Sequence, residues 1–109
     1  MRHFIRGIAL AALATSTFAY AHPDSKTLVK FDDYRVVLTA LKARRKVPAH
    51  STDGRVSIQV VKGHALLRAE GRTFDLRPGR IVTFDRGILH EIEAIDESAI
   101  LQTIAWPGN

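Results

Sequence analysis

Imidazole is the most versatile group in this 109-residue chain, which has five histidines and no cysteine. His50 and His90 draw attention because both lie in a stretch of short apolar strands punctuated by glycines. There a neutral imidazole can accept a hydrogen bond, move a proton or ligate a transition metal. His64 follows Gly63 at the start of its own strand and reads as a surface or edge histidine. His22 would become the first residue after a cut behind Ala21, and an amine beside an imidazole can chelate copper. A flexible terminus with no further ligand holds such an ion poorly. Nucleophilic catalysis has no support, because Ser51, Ser57 and Ser98 lie in no nucleophile motif and no thiolate is available.

The elements that must position the two histidines read as short strands. Glycines at 54, 63, 71, 79 and 87 punctuate runs rich in Val, Ile, Leu and Thr, the pattern of an all-β sandwich or barrel. Eight strands are expected, over 27–31, 34–43, 55–62, 64–69, 72–76, 80–84, 88–95 and 98–106. The segment 44–54 is left as irregular chain that delivers His50, with Arg44, Arg45 and Lys46 as a solvated basic run before Pro48. Lys62-Gly63 and Glu70-Gly71 suit two-residue hairpins, and Arg77-Pro78-Gly79 suits a turn with proline in second position. In 55–62, Val56, Ile58 and Val60 alternate with Ser57, Gln59 and Val61, so one face is greasy. In 88–95, Ile88, His90, Ile92 and Ala94 share a face opposite Glu91 and Glu93. The strand at 34–43 is apolar on both faces and is expected to be covered on both.

Fixed spacings in this stretch resemble the two motifs of the cupin superfamily. The first motif expects two histidines, a glutamate and a glycine, and its frame falls on His50, Thr52, Val56 and Gly63. The second falls on Gly79, Asp85, Gly87, His90 and Ala94, where the family has Gly, Pro, Gly, His and often Asn. The resemblance implies an antiparallel cupin-type β-barrel, a jelly roll, over 27–106, with His50 and His90 side by side inside it. It also implies a metal site built from three histidines and a glutamate. Only His50 and His90 match that set; the hydroxyl of Thr52 is a poor ligand and Val56 has none to offer. The expected ligand-binding residues are therefore His50, Thr52, Val56, Ile58, His90 and Ile92. His50 and His90 together would hold at most a weakly bound divalent transition metal, which makes this a degenerate metal site. Two functions follow from the resemblance: a non-catalytic domain that binds an unknown small molecule in a sensory or accessory role, or a metal-dependent enzyme of the dioxygenase or isomerase type using His50 and His90.

The first 21 residues read as a signal peptide. Arg2, His3 and Arg6 precede the apolar run 7–14, and Ala19-Tyr20-Ala21 forms a small-x-small cleavage site. The run is far shorter than the roughly 20 residues that span a bilayer. A periplasmic or secreted protein with no membrane span after cleavage is expected, with residues 22–26 as a flexible lead-in. Losing Arg2 and Arg6 leaves 14 Lys and Arg against 11 Asp and Glu, a net charge of +3 in place of +5. That excess is scattered, with no aromatic interleaving and no recognition helix, so a nucleic-acid partner is not expected. A chain of this size without disulfides buries only about 60 to 65 per cent of its unfolded surface. A homodimer that covers the early strands is the expected remedy.

Overall fold

The computed structural model describes residues 24–107. The leader reading and His22 lie outside those residues. Nine strands form two antiparallel sheets that face each other as a jelly roll. β1 (Asp24–Phe31), β2 (Tyr34–Leu41), β4 (Arg55–Lys62), β7 (Ile81–Phe84) and β9 (Ser98–Ala105) make one sheet in the order β1-β2-β9-β4-β7. β3 (Lys46–His50), β5 (Ala65–Ala69), β6 (Arg72–Leu76) and β8 (His90–Ala94) make the other in the order β3-β8-β5-β6. No helix among the described residues is long and apolar enough to cross a membrane.

Alternation decides what lies between the sheets. Val56, Ile58 and Val60 from β4 meet Ala65 and Leu67 from β5, Ile92 and Ala94 from β8, and Ile100 and Ile104 from β9 in one buried cluster. Each large aliphatic side chain so buried contributes on the order of 2 kcal/mol. The greasy face expected of β4 is therefore present. β2 differs from expectation: Leu41 and Thr39 are buried, but Val36, Val37 and Leu38 are only partly so and Ala40 is exposed. Its second face is the outer face of the barrel.

Three further departures concern chain path. β1 begins at Asp24, opposite Ala40, so the last residues of the expected lead-in are strand. The segment around Pro48, read as irregular, is β3, and the described residues therefore hold nine strands instead of the expected eight. Proline lacks the N–H that a central strand needs, yet β3 lies at a sheet edge, where proline is tolerated. The Lys62-Gly63 turn is not a hairpin, since β4 pairs with β7 and β9 while β5 pairs with β6 and β8. It carries the chain from one sheet to the other. Glu70-Gly71 is a hairpin as expected: Ala69 faces Arg72 and both turn residues have positive φ (52° and 71°), as a type I′ turn requires.

Candidate functional site

A bulge in β3 brings the histidines together. Val47 lies opposite Ile92, and regular pairing would then put Ala49 opposite His90; instead the register shifts and His50 occupies that place. The shift falls between Val47 and His50, on a segment whose Pro48 has no ladder N–H to lose, and it turns His50 to the inward-facing side. The two imidazole centroids are 4.5 Å apart with the rings tilted by 52°. Phe84 stacks on the other side of His90, at 5.3 Å and 21°. The expectation of adjacent histidines inside the barrel holds.

Both rings are held in one tautomer by their own strands. His50 Nδ1–H donates to the Pro48 carbonyl and His90 Nδ1–H to the Ile88 carbonyl, each at 2.9 Å. Each Nε2 is therefore left as an acceptor. That of His90 is buried and has no hydrogen-bond partner among the described residues. Burial holds the His90 imidazolium below the usual imidazole range, opposed by its bond to the Ile88 carbonyl and reinforced by His50 nearby. The unfolded chain therefore binds this proton more tightly than the folded one. The stability it confers is complete above the ordinary imidazole pKa of about 6.5 and is lost as pH falls through the lower folded value. Melting temperature is expected to drop between pH 7 and pH 5, and His90→Gln should flatten that slope. An unchanged slope in the variant would show that other groups set it.

The remaining expected site residues separate. Thr52 Oγ1 donates to the Gly54 carbonyl at 2.9 Å and accepts the Gly54 N–H at 3.3 Å, so its hydroxyl shapes the β3–β4 loop. Val56 and Ile58 are 2 % and 0 % exposed and pack across strands from Phe84 and Val82 in the core. Ile92 does stand beside His50, in the wall of an interior cavity of about 210 Å³. That cavity is completed by Val37, Val47 and Ile100 and by the polar groups of Ser25, Thr39 and Gln102, none of which the motif spacing points to. Ser25 and Thr39 hydrogen-bond to each other at 3.0 Å. A wider depression of about 630 Å³ touches His90 from the side of the β5–β6 turn.

A cupin metal centre does not fit these residues. Backbone-anchored Nδ1–H groups are what metal-ligating histidines ordinarily show, but the donors end at two imidazoles. Among the described residues no three His, Cys, Asp or Glu side chains are grouped to hold an ion. His64, which leads into the internal strand β5, pairs with Asp75 of the edge strand β6, and this bond is the main cause of the lowered Asp75 pKa. Ser98 lies near His64, but its hydroxyl meets only backbone, accepting the His64 N–H at 3.0 Å and approaching the Asp96 carbonyl at 2.7 Å.

A family model described as the AraC-like ligand binding domain matches residues 35–105, from β2 to the end of β9. The chain belongs to this family. Solved structures similar to this AraC-like domain include cupins. A cupin superfamily protein from Desulfitobacterium hafniense is 18% identical with a TM-score of 0.73, covering 76% of each chain. A conserved protein of unknown function from Streptococcus pyogenes is 22% identical with a TM-score of 0.72, covering 78% of this chain and 75% of its own. KdgF from Halomonas sp. is 18% identical with a TM-score of 0.71, covering 80% and 81%. At such identities the likeness is one of fold. No curated protein matches the sequence.

Proposed function

We propose that this AraC-like domain binds a small uncharged molecule between its sheets, beside the histidine pair, in a sensory or accessory role without catalysis. The observation that carries the reading is the cavity of about 210 Å³ between the sheets, where His50, Gln102 and the Ser25–Thr39 pair stand among apolar side chains. A ligand hydroxyl or amide that hydrogen-bonds one of these groups would gain about 0.5 to 1.5 kcal/mol. No residue around the cavity has a permanent charge. A charged ligand would be desolvated there without a counter-ion. Its volume matches about seven waters, below the range of drug-sized sites, so a compact ligand is favoured. The family's description as a ligand-binding domain points the same way.

Thermal melts of the full chain with small alcohols, polyols and amides test the proposal. At about 100 times its Kd a true ligand adds about 2.7 kcal/mol and raises the melting temperature by ten degrees or more. Gln102→Leu is expected to weaken that response about tenfold by removing one hydrogen bond. Stoichiometric uptake of a divalent metal, with no response to any neutral compound, would instead favour the enzyme reading through His50 and His90.

A further inference from the structure

Each sheet ends in a strand with one unpaired edge, and two of these edges face each other across a gap. β6 closes the four-stranded sheet and β7 the five-stranded one. Between them runs an open groove of about 370 Å³, with Phe74, Leu76, Ile81 and Val82 in its walls. Ile81 is 57 % exposed and Phe74 is only half-buried. The backbone of β6 is also turned toward the gap. The Asp75 carbonyl points away from β5 and accepts Arg80 Nη1–H at 3.2 Å. Strand alternation turns the Thr73 N–H and carbonyl the same way.

The charge around this groove is one-sided. β6 and the turn after it hold Arg72, Arg77 and Arg80 against a single carboxylate, Asp75, which His64 and Arg77 already engage. Arg72 lies over the Phe74 ring at 5.1 Å and Arg80 meets only the Asp75 carbonyl. Neither has a carboxylate partner among the described residues. Charge on an edge strand also deters aggregation, but deterrence does not call for an open apolar groove between the cations.

We propose that β6 and this groove take up an extended acidic segment of another protein, added to the four-stranded sheet as a fifth strand. Main-chain hydrogen bonds to an exposed edge supply affinity in this mode, and pockets for alternate side chains supply the choice of partner. Two acidic side chains four residues apart span about 13 Å, the length of β6 from Arg72 to the end that Arg80 reaches. A residue midway between them shares their face and meets Phe74 and Val82, so it must be apolar. The recognised pattern is acidic-x-apolar-x-acidic. The interior cavity draws on β1, β2, β3, β8 and β9 instead, so this site does not depend on a ligand there.

Fluorescence anisotropy on the full chain, with the labelled peptide Thr-Glu-Thr-Val-Thr-Glu-Thr as probe, reads the outcome. Saturation with a Kd of about 10 to 100 µM is expected. Lysine in place of both glutamates should weaken binding about tenfold or more, and so should N-methylation of the peptide nitrogens that face β6, which leaves the charge unchanged. Arg72 and Arg80 are exposed, so Arg72→Glu and Arg80→Glu are expected to fold and to raise Kd about tenfold each. Lys30→Glu, on β1, should leave it unchanged. Failure of the glutamate peptide to saturate below about 1 mM overturns the proposal. So does equal binding of the lysine peptide, or of the N-methylated one, which would reduce the site to diffuse charge attraction.

Discussion

Val56→Glu is expected to destabilise the fold by about 3 to 5 kcal/mol, a fall in melting temperature of about 15 °C or more. Val56 is 2 % exposed, with Phe84 and Ile104 as its cross-strand neighbours in the apolar cluster. A carboxylate there would have no counter-ion, so it must stay protonated or force water into the core. Its folded pKa is therefore raised. Relative to the unaltered protein the variant is best off below about pH 4, and its deficit widens as pH rises through the folded pKa. Urea melts of both proteins at pH 4 and pH 8 check this. A deficit that shrinks with rising pH would mean that a cation, His90 among the candidates, has reached the carboxylate. The position would then be a latent ligand site.

Gly63→Ala is expected to be nearly as damaging, by about 3 kcal/mol or more, although only one methyl group is added. Gly63 has φ of +93°, and a Cβ built on it would stand 2.3 Å from the Glu97 carbonyl and 2.8 Å from Ser98 Cα. Those are backbone atoms that cannot rotate away. The segment that contains them also holds the sheet-to-sheet crossing in place, since the His64 carbonyl accepts the Ile95 N–H at 2.8 Å and Ser98 Oγ accepts the His64 N–H at 3.0 Å. Gly71→Ala provides the comparison, because Gly71 has φ of +71° with nothing within 4 Å of a Cβ. Conformation alone should cost it about 1 to 2 kcal/mol. Equal losses at the two positions in denaturant melts would refute the steric argument.

Much of the barrel is legible in local pattern. Period-two alternation places Val56, Ile58 and Val60 inside, and it sets Glu91 and Glu93 opposite His90, Ile92 and Ala94, because successive strand residues point to opposite faces. The turns at Glu70-Gly71 and Arg77-Pro78-Gly79-Arg80 are likewise local: φ of +71° at Gly71 and +90° at Gly79 needs glycine, and Arg80 N–H closes the second turn on the Arg77 carbonyl at 2.9 Å. Pro48 misleads for a physical reason. It forbids a ladder hydrogen bond, but whether its strand lies at an edge depends on which strands come to lie beside it.

Local pattern is enough for the strands of the described residues, for the inward faces of β4 and β8 and for the two histidines that share one site. What surrounds those histidines is set by how the strands pack. The bulge between Val47 and His50 that turns His50 onto His90 and the crossing at Gly63 depend on partners distant in the chain. Thr39 and Gln102 line the interior cavity, yet a polar residue on a strand reads the same whether it faces water or a cavity. The outer face of the five-stranded sheet draws on residues 34–41, 55–62, 81–84 and 98–105, but it becomes one surface only when β9 lies between β2 and β4. Side-chain alternation is a property of each strand alone, whereas adjacency between strands is chosen by burial over the whole chain.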